Sequence, residues 1–156
     1  MLAVDVEHAA RIAFDAGNGS ISDWSARFHR DIENIRHYPV VALDSQNSIV
    51  GYARTCWHED DLGEENSAPN GWYLMGLRVE EAARGRGIGQ QLTSARLNWL
   101  AERAEKAYCL ISSHNVPSRE LHEQLGFTSH GSDFNFPGLE IGHEELLFSI
   151  ELPQTP

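Results

Sequence analysis

The N-terminal part of the chain carries apolar side chains at helical spacing. One run predicts an amphipathic helix that ends at Gly17, and its apolar face holds Val6, Ala9, Ala10, Ile12 and Ala13. A second run predicts another helix, ended by Pro39, whose apolar face holds Trp24, Phe28, Ile32 and Ile35. The chain is therefore expected to begin with two consecutive helices.

The spacing then changes to that of strands. Two β-rich runs, PVVAL and IVGYARTCW, are separated by the polar residues 44–48, which predicts a hairpin. The polar and acidic segment HEDDLGEENSAPNG follows and predicts a loop. The run WYLMGLRV is apolar almost throughout, and this predicts a strand in the centre of a sheet.

Helices and strands alternate along the rest of the chain. A helix is expected from Gly87 to about Ala104, with an apolar stripe of Ile88, Leu92, Ala95 and Trp99. The strand AYCLISS follows, then a short helix with Pro117 in its first turn and Gly126 at its end, then the strand LLFSIEL. This order predicts an α/β (α+β) fold in which helices flank a mixed sheet.

Composition restricts the class of protein. A chain of 156 residues has the size of one domain, and its 41% hydrophobic and 22% charged residues are ordinary values for a globular protein. The formal net charge of −11 argues against a nucleic-acid partner, which would need basic patches on the protein. The charge favours a cationic partner, or it serves only to keep the protein in solution.

The cysteines and the apolar runs predict a cytoplasmic protein with no membrane partner. Cys56 and Cys109 are far apart in sequence and form no CxxC pattern, so reduced thiols are expected. No apolar run approaches the ~18 residues of a membrane span. The N-terminus also lacks the basic segment and apolar core of a signal peptide.

The segment RGRGIG, residues 84–89, lies between a predicted strand and a predicted helix. The first N–H groups of a helix lack intrahelical partners, and with the helix dipole they form an anion site. Glycines let the backbone approach a bulky phosphate, and Arg84 and Arg86 add positive charge. The glycine spacing does not fit the dinucleotide fingerprint, and the absence of a Gly-Lys pair excludes a Walker loop. A pyrophosphate is the expected ligand.

Two motifs resemble the GNAT superfamily of acetyl-CoA-dependent N-acetyltransferases. Arg84, Gly87 and Gly89 fill the pattern R-x-x-G-x-G, and HNVPSRELHEQLGF is similar to a segment found further along these chains. The resemblance covers about residues 40–152 and implies a single GNAT domain over residues 1–156. It implies a mixed, mostly antiparallel central sheet that is splayed at the acetyl-CoA site. The family's first strand should precede Asp5, so here it is expected to be short or absent.

The resemblance also implies which residues bind the donor, acetyl-CoA. The pyrophosphate would lie on backbone N–H groups of the loop, and the pantetheine arm would run along the strand at residues 76–79. A backbone N–H near Leu77 would stabilise the developing oxyanion. Asn115 and Ser118 match positions that contact the CoA arm, although either residue could simply cap a helix. The implied set of cofactor-binding residues is Leu77, Val79, Arg84, Gly85, Arg86, Gly87, Ile88, Gly89, Gln90, Asn115 and Ser118.

The proton-transfer groups are less well defined by the resemblance. Many relatives carry a Tyr that protonates the leaving thiolate, and His122 stands at that position; it serves as the acid, or water does. The tail GFTSHGSDFNFPGLEIGH resembles small-molecule acetyltransferases of the glyphosate type, in which a histidine matching His143 is the base. The alternative is that His143 is a loop histidine beside Glu144 and Glu145. Carboxylates of the loop that begins HEDD, Glu59 among them, could instead attract the amine or relay its proton through water, or the run is only a solvated loop.

The acceptor is expected to be a small molecule with a primary amine. Trp72, Phe134 and Phe136 either wall its pocket or belong to the core. No metal is expected, because His58, Glu59 and Asp60 have no ligand partner at a suitable spacing. Protein acetylation and a non-catalytic CoA-binding sensor remain alternatives, and a homodimer is compatible with the resemblance. The other histidines, predicted to lie on the surface or in loops, are His8, His29, His37, His114 and His130.

Overall fold

The computed structural model describes residues 1–15, 19–60, 66–136 and 144–153. Six strands in this part of the chain form one sheet in the order β1-β2-β3-β4-β6-β5. They are β1 (Val40–Leu43), β2 (Ile49–His58), β3 (Gly71–Val79), β4 (Lys106–Ser112), β5 (Thr128–Ser129) and β6 (Glu145–Glu151). The helices are α1 (Val6–Asp15), α2 (Ile21–Glu33), α3 (Ile88–Leu100) and α4 (Val116–Gln124).

The sheet is mixed and mostly antiparallel, as expected. β1 pairs antiparallel with β2, and β6 pairs antiparallel with both β4 and β5. The pairing of β3 with β4 is parallel and joins Trp72 to Ala107, Tyr73 to Tyr108 and Leu74 to Cys109. β3 continues beyond this register to Val79, so the parallel pairing covers only its first part.

The chain divides into two compact units. The first contains residues 1–56 and 75–96, and the second contains residues 57–74 and 97–156. In the first unit, α1 and α2 bury a cluster that includes Ala9, Phe28 and Tyr52, while Val40, Ala53 and Leu92 form a second cluster. In the second unit, Leu74, Leu100, Cys109 and Phe148 lie in one core. Burial of a large apolar side chain contributes roughly 1.5–3 kcal/mol to the free energy of unfolding.

The second helix ends earlier than the sequence pattern predicts. A capping box of Ser20 and Asp23 starts α2, but Asn34 has extended backbone angles and the helix stops at Glu33. The Asn34 side chain then accepts a hydrogen bond from the N–H of Arg36 and forms a turn. Ile35 is consequently 92% exposed, and its predicted place on the apolar face of the helix is wrong.

The buried face of α3 also differs from its prediction. The helix ends at Leu100 rather than near Ala104, and Ala95 is exposed. Thr93 and Arg96 are buried instead. The Arg96 guanidinium donates hydrogen bonds to the Arg54 carbonyl (3.0 Å) and to Thr93 Oγ1 (3.1 Å), and these bonds offset the cost of burying a cation. Apolar periodicity cannot detect a polar group that is buried because it is hydrogen-bonded.

The N-terminal segment agrees with its prediction, whereas one short strand at the edge of the sheet has no prediction in the sequence. Residues 3–5 form one turn of 3-10 helix, which agrees with the expectation that a strand before Asp5 is short or absent. The two-residue strand β5 was missed, because it follows α4 immediately and is too short to show alternation. The hairpin, β3, β4, α4 and β6 lie where the sequence predicts them, within one or two residues.

Candidate active site

The RGRGIG loop in the first unit has the backbone of an anion site. A short 3-10 turn (Glu81–Ala83) follows β3, and Gly85 and Gly87 have φ of 73° and 75°. Glycine adopts this left-handed conformation without the strain of a side chain. The Gln91 N–H bonds to the Gly87 carbonyl, so the N–H groups at residues 88–90 precede the first helical bond.

Space is open beside this loop. A Cβ atom built on Gly85 or Gly87 would meet no heavy atom within 4 Å. The Arg84 side chain lies back against β3, where Nε donates to the Val79 carbonyl (3.1 Å). The positive φ angles, the free volume and the helix start fit a bound pyrophosphate group.

β3 is distorted next to the residue predicted to hold the oxyanion. Gly76 has a φ of 51°, and a Cβ atom at this position would lie 3.7 Å from Cδ of Arg54. A glycine is needed here because few side chains tolerate this φ. Leu77 follows directly, is half-buried, and packs with Val79 and Ile88 against the Val40 cluster.

A buried ion pair in the first unit joins Arg54 of β2 to Asp31 of α2. Nη2 of Arg54 donates to Oδ1 of Asp31 (3.0 Å), Nε of Arg54 donates to Oδ2, and Asp31 is only 2% exposed. Nδ1 of His37 also contacts Oδ1 of Asp31, at 2.5 Å. His37 follows α2 in a loop, and the turn there brings it back onto a carboxylate of the preceding helix.

Both cysteines are free thiols, as expected. Burial raises the pKa of Cys56 to about 11, an effect that nearby Arg54 only partly offsets. A thiol with this pKa is almost fully protonated at neutral pH and is a poor nucleophile. Cys109 is 1% exposed within the core of the second unit.

Asn115 and Ser118 lie at the start of α4 in the second unit. Asn115 is the N-cap of the helix, and its side-chain oxygen accepts a hydrogen bond from the Ser118 N–H (3.3 Å). The capping role that the sequence left open is thus present. A contact with the CoA arm stays a prediction for both residues.

His122 lies in the last turn of α4 and is 5% exposed. Its Nδ1 is 2.7 Å from the Ser118 carbonyl oxygen, and its ring meets Phe127 edge-on. A carbonyl can only accept, so Nδ1 carries a proton. In the neutral ring Nε2 is then an acceptor, and His122 can donate a proton from Nε2 only when the ring is charged.

The residues predicted to line the acceptor pocket have different surroundings. The Trp72 ring packs edge-on against Trp57 (5.6 Å between centroids) and Trp99 (5.1 Å), beside the core of the second unit. Phe134 is half-buried and Glu59 is exposed. Phe136 is 7% exposed and stacks on His58.

Some predicted residues lie outside the described parts of the chain. His143, the predicted base, is one of them, and so are Asp61, Glu64 and Glu65 of the acidic loop. Among the residues that the structure does describe, no cluster of His, Cys, Asp and Glu could hold a metal ion. No helix within the described ranges is long and apolar enough to cross a membrane.

Comparison with known proteins assigns the family. Residues 5–127 match the model of the acetyltransferase (GNAT) family, and the chain therefore belongs to this family of acetyltransferases. The chain is 28% identical over 118 residues to the spermine/spermidine N(1)-acetyltransferase of Bacillus subtilis, a match that covers 74% of this chain and 76% of the relative. It is 30% identical over 95 residues to the mycothiol acetyltransferase of Amycolatopsis mediterranei, covering 60% of this chain but only 31% of the relative.

Solved structures show the same fold. A phosphinothricin acetyltransferase from Sinorhizobium meliloti, in complex with AcCoA, aligns with a TM-score of 0.75 at 21% identity, covering 97% of this chain and 85% of that one. A ribosomal-protein-alanine N-acetyltransferase from Brucella melitensis aligns with a TM-score of 0.73 at 23% identity, covering 97% of both chains. The fold and the use of acetyl-CoA by the family are thereby established.

Proposed function

We propose that this protein transfers the acetyl group of acetyl-CoA to a primary amine of a small molecule by direct attack of the amine on the thioester. The observation that carries the proposal is the loop from Gly85 to Ile88, with two left-handed glycines, open space beside them and a helix start. Its N–H groups would bind the pyrophosphate of the donor. Bound acetyl-CoA supplies the activated acyl group.

The chain's own groups would then act on the thioester. The N–H near Leu77, beside the distortion at Gly76, would donate to the carbonyl oxygen as negative charge develops on it. The motif also assigns five further residues of the first unit to the donor site: Val79, Arg84, Arg86, Gly89 and Gln90. Asn115 and Ser118, at the start of α4, match positions that contact the CoA arm in relatives. Their roles follow from the motif positions.

Direct attack is favoured because neither cysteine is suited to carry the acetyl group. Cys56 has a pKa of about 11, and Cys109 is buried in the core. A covalent route would need a thiolate at neutral pH. The amine nitrogen therefore forms the new C–N bond while the C–S bond breaks, and the amine loses a proton to His143 or to a water held by the acidic loop. His122 or water protonates the departing thiolate.

A small cationic amine is the acceptor that the chain suits best. The net charge of −11 favours association with cations. The relative from Bacillus subtilis is named for spermine and spermidine, and the relative from Amycolatopsis mediterranei is named for mycothiol. Polyamines, aminoglycosides and amino-acid derivatives are accordingly the first compounds to test.

A thiol-release screen tests the proposal. Purified protein with acetyl-CoA should release CoA thiol in proportion to added spermidine, an aminoglycoside or an amino-acid amide, and the Gly87→Asp variant should not. Release of thiol with basic peptides alone would indicate that the acceptor is a protein rather than a small molecule. Tight CoA binding without release on the whole panel would identify a sensor, a reading that the buried and tethered ring of His122 favours.

A further inference from the structure

His58 lies at the end of β2, in the second unit, among aromatic rings that pack closely against one another. Its ring stacks on Phe136 with 3.9 Å between centroids and meets Tyr73 edge-on at 5.5 Å. Tyr73 in turn stacks on Tyr108 at 5.2 Å. The four rings come from separate stretches of the chain, and we refer to His58, Tyr73, Tyr108 and Phe136 as the His58 recess.

Two loops hold Phe136 against His58. The N–H of Ala68 donates to the carbonyl of Asn135 (2.6 Å), and the N–H of Asn135 donates to the carbonyl of Asn66 (2.7 Å). This backbone pairing fixes the residue that precedes Phe136. The recess is therefore positioned by backbone hydrogen bonds in addition to ring packing.

One polar atom in the recess is unsatisfied. Nε2 of His58 is shielded from solvent and has no hydrogen-bond partner among the residues that the structure describes. Burial lowers the pKa of His58, and the charge of Asp60 opposes this shift only in part, so the ring is neutral at neutral pH. A buried polar group without a partner costs about 1–3 kcal/mol, and native proteins keep few of them without a functional reason.

The surroundings of His58 select the chemistry of a ligand. A ligand with an N–H donor would favour the tautomer that has its lone pair on Nε2. The face of Phe136 that now covers His58 would attract a cation once the two rings separate. Carboxylates follow directly in the sequence at Glu59 and Asp60. Asp60 is held in place by Ser67 Oγ (2.6 Å) and by the Asn70 side chain, which accepts from the Asp60 N–H (2.8 Å). An ammonium group with apolar substituents fits all three features.

We propose that the His58 recess binds the acceptor amine, with Nε2 of His58 accepting a hydrogen bond from its nitrogen. The role of this amine as the acetyl acceptor rests on the proposed function, but its binding can be measured without turnover. Because Nε2 is shielded, the incoming amine displaces a neighbouring side chain, and Phe136 is the ring in closest contact.

Titration calorimetry with spermidine, followed by the other amines of the thiol-release panel, tests this site on protein saturated with CoA. His58→Phe keeps a ring of similar shape but removes the acceptor, and the affinity for the bound amine should fall about tenfold or more. His58→Gln keeps an acceptor near the same place and should retain most of the affinity. His29→Gln is the matched control, because His29 is exposed on α2.

Thermal unfolding separates a binding role from a structural one. His58→Phe removes an unsatisfied group, so its melting temperature should equal or exceed that of the wild type. A lower melting temperature, an unchanged amine affinity in His58→Phe, or no binding of any panel amine by the wild type would each overturn the proposal. Thiol release with a normal KM for the amine in His58→Phe would leave the proposed function intact and reject only this site. His58-dependent amine binding without thiol release would support this site and contradict the proposed function.

Discussion

The glycine–arginine loop and the His58 recess represent two ways of building a binding site. In the loop, the groups proposed to bind are backbone N–H groups, and the φ angles of Gly85 and Gly87 determine their direction. In the recess, the proposed binding atom belongs to one side chain, and packing against Phe136 and Tyr73 determines its environment. A site made of backbone leaves a signature in consecutive residues, whereas a site made of side chains depends on the folded chain.

This difference explains what the sequence could predict. The strand–loop–helix unit around Gly87 was located from local spacing, and the structure has it at that position. The sequence predicts only that His37 lies on the surface or in a loop, and it does not indicate that His37 contacts Asp31 across a turn. His58 stands next to acidic residues in the sequence, and nothing near it indicates that Phe136 covers it. Contacts between distant segments have no local signal.

Substitution in the loop should have the largest effect. A bound ligand at about 100 times its Kd adds about 2.7 kcal/mol to the free energy of unfolding. Gly87→Asp should abolish this stabilisation by acetyl-CoA, since its carboxylate would face the pyrophosphate. Thermal unfolding with and without acetyl-CoA measures it. Unchanged stabilisation would remove the assignment of the donor site.

Two controls separate charge from backbone strain in that experiment. Gly87→Asn has nearly the same shape as Gly87→Asp and tolerates positive φ, so it should retain part of the stabilisation. Gly131→Asp places the same side chain at another open glycine, with φ of 84°, in the second unit. It should respond to acetyl-CoA as the wild type does. Equal losses in all three variants would point to misfolding rather than to the anion site.

Loss of the proposed base should have the next largest effect, and it tests whether the acceptor chemistry depends on one side chain. His143→Ala should lower kcat at neutral pH by about 10²-fold, the lower end of the usual range for a general base, and flatten the acid limb of the pH profile. The KM for acetyl-CoA should not change, because the donor loop is untouched. A wild-type pH profile would transfer the role to the acidic loop or to solvent, and Glu59→Gln would then be the variant to measure.

Substitution of His122 should have the smallest effect, because the neutral ring has no proton to donate from Nε2. Its Nδ1 is held by a backbone carbonyl and its ring is buried, so only the charged form can donate from Nε2. His122→Phe should slow turnover about tenfold, less than a fully effective general acid would give, while acetyl-CoA affinity stays the same. The alkaline limb of the kcat profile should flatten, since loss of an acid removes the fall in rate at high pH. A packing residue would change stability but leave that limb in place, and an unaffected rate would assign the protonation of the thiolate to water.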